Sequence, residues 1–96
     1  MHPEFSFARR AVVSPETLIR AVDGESVILN LKNESYYGLD DVGTAFWACL
    51  STSPSIAAAC DRLAEEFEAP PETIRKDMRE FVEALAQRGL IDVTSE

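Results

Sequence analysis

Asp40 and Asp41 are adjacent carboxylates, a pairing that general acid–base catalysis uses, but no histidine or lysine lies near them in sequence. They stand immediately before the apolar run Val42–Leu50. That position suits Asp40 as a helix cap, its carboxylate accepting from free backbone N–H groups at the positive end of the helix dipole. Tyr36 and Tyr37 could form a stacking platform for a ligand, or divide as one core and one surface residue. Arg75, Lys76 and Arg79 make a basic strip interleaved with Asp77, Glu80 and Glu83, the make-up of a solvated helix face. As i, i+4 neighbours, Arg75 and Arg79 could also grip an acidic peptide. Cys49 and Cys60 lack any short ligand spacing and His2 is the sole histidine, too few groups for a zinc site. Both cysteines fall on apolar helix faces and read as small buried hydrophobes of a reducing compartment. The serines have no histidine partner outside the N-terminal tail, which argues against a Ser or Cys hydrolase. The four glycines are scattered, so no phosphate-cradling loop is present.

The elements that must position these residues fit in one domain. Ninety-six residues, 46% of them apolar, suffice for one small core. The net charge is −8, and residues 39–70 hold one basic and six acidic groups. An acidic chain of pI about 4.5 is a poor partner for duplex phosphates. No apolar run approaches the ~20 residues that span a bilayer, and the N-terminus lacks a signal peptide's apolar segment. A soluble, cytoplasmic protein without metal or cofactor is expected.

Taken in order, residues 1–10 form a tail, or a short extra strand through the alternation of Phe5 and Phe7. Ala11–Ser14 is a β-branched run cut by Pro15, which rules out a long central strand there. Leu18–Val22 and Ser26–Lys32 read as strands joined by Asp23-Gly24, a hairpin signal. Alternation in the second puts Val27, Leu29 and Leu31 on the buried face, with Ile28 the exception on the wetter one. Lys32–Ser35 turns the chain into a third strand, Tyr36–Leu39. Outer strands of such a meander expose backbone donors and acceptors, and no proline or lysine blunts this third one. The first helix buries Val42, Phe46, Cys49 and Leu50, with Trp47 at the margin. The second starts at Ser53 as N-cap with Pro54 at the first helical position, and its stripe is Ile56, Cys60, Leu63 and Phe67. The third runs from Pro71 to Gly89 with the stripe Ile74, Met78, Phe81, Val82 and Leu85; Gly89 is the left-handed terminator. Leu90–Val93 returns to the core. The fold expected is α+β, a small winged helix-turn-helix-like domain with a three-stranded antiparallel sheet followed by three helices.

With these residues in place, the run ILNLKNESYYGLDDVGTAFWACL resembles the PqqD-like family, through Tyr37, Leu39, Gly43 and Trp47. The run PPETIRKDMREFVEALAQRGLI resembles the family's last helix with its Arg-Gly-Leu ending. The likeness covers residues 11–93, leaving 94–96 as a tail. One departure is Pro70, where members often carry a capping side chain. The YYGLDDVG segment looks most like stand-alone recognition proteins of lasso-peptide pathways, and less like PQQ synthesis protein D proper. The resemblance implies a non-catalytic element that binds the leader region of a ribosomal precursor peptide by strand addition to its third strand. It would then deliver the leader to a maturation enzyme, in lasso pathways a leader peptidase. The peptide-binding residues it implies are Ser35, Tyr36, Tyr37, Gly38 and Leu39 on the strand, with Ile74, Asp77, Met78 and Phe81 on the last helix. Either flank of that helix could face the guest. An open edge also permits self-pairing, so a monomer or weak homodimer is expected. The alternatives are a PQQ-type peptide chaperone for a radical enzyme, a DNA-binding winged helix using Arg75, Lys76 and Arg79, and an enzyme, for which the sequence offers only isolated carboxylates.

Overall fold

Asp23 and Gly24 both adopt positive φ, 52° and 83°, the turn geometry whose twist matches a two-residue hairpin. In the computed structural model, which describes residues 6–94, they join β2 (Thr17–Val22) to β3 (Glu25–Asn30). A four-residue turn, with Glu34 at φ 62°, leads into β4 (Ser35–Leu39). The antiparallel sheet has the order β2-β3-β4, so β4 is an edge.

The two-residue hairpin makes Val22–Glu25 a hydrogen-bonded pair, and such pairs alternate along an antiparallel ladder. Glu25, Val27 and Leu29 therefore direct their backbone groups to β2, and Ser26, Ile28 and Asn30 direct theirs to β4. Their partners in the register are Leu39, Tyr37 and Ser35. The N–H and C=O of Tyr36 and Gly38 consequently face the open side of the sheet.

The buried face of β3 is the reverse of the one that alternation suggests. Ile28 is wholly buried, with Ser26 and Asn30 beside it, while Val27 is exposed and Leu29 half-buried. The polar side chains are tolerated inside because each is hydrogen-bonded. Ser26 Oγ lies 2.8 Å from Thr44 Oγ1. The Asn30 amide donates to the Arg88 and Gly89 carbonyls at 3.2 and 3.1 Å, and its oxygen accepts from the Lys32 N–H at 2.9 Å. Asn30 thus ties the end of the sheet to the end of the last helix. Leu18, Val27 and Tyr36 are exposed on the outer face.

Three helices follow the sheet, the first packed against β3 and β4 and the second against the other two helices. α1 (Asp41–Thr52) begins one residue after β4 ends, with Asp40 Oδ1 accepting from the Gly43 N–H at 2.8 Å. Replacing Asp40 by Ala should cost about 1 kcal/mol; in thermal unfolding followed by circular dichroism this lowers the midpoint by roughly 4–8 °C. α2 (Ile56–Phe67) starts two positions later than the Ser-Pro signal suggests. Ser55 is its N-cap, accepting from the Ala58 N–H, and Ser53 instead terminates α1. The buried Ser53 hydroxyl is held by Arg62 at 3.0 Å. Phe67, placed in the buried stripe by spacing, is 39% exposed because it ends the helix.

α3 (Pro71–Gln87) opens at Pro70, which offers no side-chain cap; its carbonyl accepts from Thr73 and Ile74 instead. Gly89 has φ 72°, as a left-handed helix terminator should. Beyond it, β5 (Ile91–Val93) pairs antiparallel with β1 (Ala11–Val13) in a two-stranded ribbon. Residues 6–10 form a turn, not a strand. Within it the Phe7 and Arg9 carbonyls accept from Ala57 and Ile56, satisfying free donors at the α2 N-terminus. His2 and Phe5 lie outside the described residues, as do Ser95 and Glu96. No described helix is long and apolar enough to cross a membrane.

The core joins Ile28 and Leu39 of the sheet to Phe46, Ile56, Leu63, Ile74, Met78, Val82 and Leu85 of the helices. Cys49 and Cys60 are free, buried thiols within it. Burial pushes both thiols above the ordinary value. Arg62 acts in the opposite direction on Cys49, as Arg75 does on Cys60, but burial is the larger influence. Neither is therefore a thiolate at neutral pH, the state a nucleophile requires.

Candidate functional site

The open edge of β4 does not face plain solvent. A single residue, Asp40, separates β4 from α1, so the first turn of α1 must sit beside the strand end. Gly43 makes the approach close: a Cβ there would lie 3.2 Å from Leu39 Cδ2 and 3.3 Å from Asp40 Oδ1. On the other side, Phe81 of α3 meets Phe46 of α1 edge-on, ring centroids 5.8 Å apart. The result is a groove of about 550 Å³ walled by Tyr37–Leu39, by Val42, Gly43 and Phe46, and by Phe81 of α3. Its polar rim is Asp40, Asp77 and Glu80.

Along the strand, faces alternate. Tyr37 and Leu39 point inward with Ile28 and Ser26, their register partners. Tyr36 points to the outer face and is 68% exposed. Arg88 places its guanidinium 4.7 Å from the centre of the Tyr37 ring, a cation–π contact that fixes the ring at the groove wall. A Cβ at Gly38 would meet nothing within 4 Å. Ser35 begins the strand, its hydroxyl and N–H both donating to Asn33 Oδ1.

Of the residues picked out from sequence, Tyr37, Gly38, Leu39, Asp77 and Phe81 come together around the groove. Ser35 and Tyr36 belong to the same strand but do not line it. Ile74 and Met78 are 4% and 0% exposed and support the groove from the core. The flank of α3 beside the groove is therefore the one carrying Asp77, Glu80 and Phe81. The basic strip lies elsewhere: Arg75 stacks on Phe7 at 4.8 Å, and Arg79 bonds Glu83 at 3.3 Å. Sequence reasoning missed Val42, Gly43, Phe46 and Glu80, and weighed Asp40 as a cap or half of a carboxylate pair rather than as part of this groove. The signal for the first three was the missing loop between strand and helix, which leaves the first turn of α1 nowhere else to go. Among the described residues no group of His, Cys, Asp or Glu could hold a metal ion.

A three-stranded sheet with one strand edge open to a helix-walled groove, backed by three helices, defines a small winged-helix-like recognition fold. The model for coenzyme PQQ synthesis protein D matches residues 25–91, and the chain belongs to that PqqD family. No curated protein matches it. Among solved structures it is similar to TbiB1 in complex with the TbiA(beta) leader peptide, at 28% identity and a TM-score of 0.79 over 88% of this chain and 98% of that one. It also shares the fold of lasso peptide synthetase B1 complexed with the leader peptide, at 22% identity and a TM-score of 0.76, over 86% and 98% of the two chains.

Proposed function

We propose that this protein binds the leader region of a ribosomally made precursor peptide as an added strand on β4, and hands it to a maturation enzyme, in a lasso pathway the leader peptidase. The observation that carries the reading is the open β4 edge, with the Tyr36 and Gly38 backbone groups unused by the sheet and a groove directly alongside. Strand addition takes affinity from main-chain hydrogen bonds and specificity from alternate side chains. Alternate guest residues would enter the groove against Tyr37, Val42, Phe46 and Phe81, and Leu39 would close its far end. Ile74 and Met78 would hold the α3 wall at the right distance. Ser35 and Tyr36 would act through the strand itself, with Tyr36 free to meet guest residues on the outer face. TbiB1, 28% identical and bound to a leader peptide, supports the leader-binding part of this reading.

The protein would act by holding and positioning, with the chemistry left to its partner. Leu18, Val27 and Tyr36 on the outer sheet face offer apolar surface of the kind protein partners cover, which supports the hand-off. A fluorescein-labelled leader from the precursor encoded beside this protein should bind saturably, with one site per chain, in an anisotropy titration. The absence of saturable binding to any such leader would refute the proposal.

A further inference from the structure

Opposite charges flank the groove: carboxylates line one end, and Arg88 sits on the Tyr37 ring beyond the other. Asp77 and Glu80 share the groove with Leu39 and Asp40. At the other end of α3, the Arg88 and Gly89 carbonyls accept from Asn30, which pairs with Ser35 at the start of β4. α3 and β4 therefore run antiparallel. Antiparallel pairing is the more stable per residue, and a guest strand antiparallel to β4 runs parallel to α3, entering beside Asp77 and leaving beside Arg88.

The entry end carries Asp40, Asp77 and Glu80, and among the described residues no lysine or arginine lines the groove itself; Arg88 lies just beyond it, against Tyr37. The exit end carries Arg88 on the Tyr37 ring; in the neighbouring turn Lys32 and Glu34 carry one charge of each sign, and Glu16 and Asp92 line a separate depression with Asn30, Lys32 and Gly89. Arg20 is on the outer side of the sheet, in a depression it shares with Asp23, Glu25 and Asp40. From Asp77 or Glu80 to Arg88 a helix rises about 12–17 Å, which an extended peptide covers in about four or five residues.

We infer that the groove selects the charge polarity of its guest: a lysine or arginine at the N-terminal end of the bound segment, and about four or five residues later a carboxylate. The inference rests on the strand-addition reading above. A wrongly directed peptide of the same composition meets like charge at both ends, so polarity also enforces strand direction. Each exposed ion pair changes affinity by roughly one- to fivefold, so the combined preference is about tenfold and fades as salt screens it.

The probe is a displayed library of random 12-residue peptides, selected against the wild-type protein and against Asp77→Lys/Glu80→Lys. Both replaced residues are exposed on α3, and lysine keeps helix propensity, so circular dichroism should show an unchanged fold. Gly38→Pro serves as the control for binding at the β4 edge. Support is enrichment of peptides with a basic residue four or five positions before an acidic one, lost on the control and switched to an acidic N-terminal preference on the double variant. Peptides that need the β4 edge but show no polarity, or the same polarity on both proteins, overturn the inference and leave strand addition standing. No enrichment at the edge overturns both.

Discussion

Gly38→Pro should weaken leader binding by about tenfold or more, while Gly38→Ala should leave it within about twofold. The contrast isolates one backbone N–H. By the alternation set at the Asp23-Gly24 turn, the Gly38 N–H points away from β3, so proline removes no hydrogen bond from the sheet itself. Proline is tolerated on such an edge strand for this reason. What it removes is the donor offered to a guest, leaving the guest's carbonyl desolvated without a partner, a loss of about 1–3 kcal/mol. Its ring also occupies the space where the added strand must lie. Alanine keeps the N–H, and its Cβ would meet nothing within 4 Å. Anisotropy titrations on both variants, with thermal unfolding to establish that each is folded, give the comparison. Equal affinity of a folded Gly38→Pro and the wild type would show that the guest does not use this edge.

Local signals carried much of this architecture in the sequence. Asp23-Gly24, the Asn33-Glu34 turn, the Asp40 cap and the Gly89 terminator act within a few residues, and the structure has all four. What was not legible depended on residues far apart in the chain. Alternation put Val27 and Leu29 inside because they are apolar. The choice of face is instead made by Thr44, Arg88 and Gly89, which supply partners for Ser26 and Asn30. The pairing of Ala11–Val13 with Ile91–Val93 joins two three-residue segments from opposite ends of the chain, each too short to declare a partner. Ser53-Pro54 carries a strong helix-start signal, yet Ser55 two residues on can cap equally well. The choice falls to Ser55, where the Phe7 and Arg9 carbonyls reach the first N–H groups of α2. The candidate groove was half legible for the same reason. Its strand and one helix flank follow from spacing and family pattern, but Val42 and Phe46 join it only because α1 starts against the strand end.

The same inversion of β3 predicts the largest stability effect in the sheet. Ile28→Ala should cost about 2–4 kcal/mol, whereas Val27→Ala, one residue away and similar in character, should cost about 1 kcal/mol or less. Ile28 is 0% exposed within the core beneath the helices, where truncation leaves a cavity that the closely packed surroundings cannot collapse to fill. Val27 is 39% exposed on the outer face, where water fills the space a smaller side chain vacates. A domain of this size has about 5–15 kcal/mol of total stability, so Ile28→Ala consumes a substantial share. Urea unfolding of the two variants should show a large drop in midpoint for Ile28→Ala and a small one for Val27→Ala, at unchanged slope. The reverse order would restore the face that alternation first suggests. It would also turn Tyr37 and Leu39 away from the helices, because a one-residue change of face in β3 carries through its register to β4. The groove would then lose its inner wall, so this measurement bears on the site as directly as on the core.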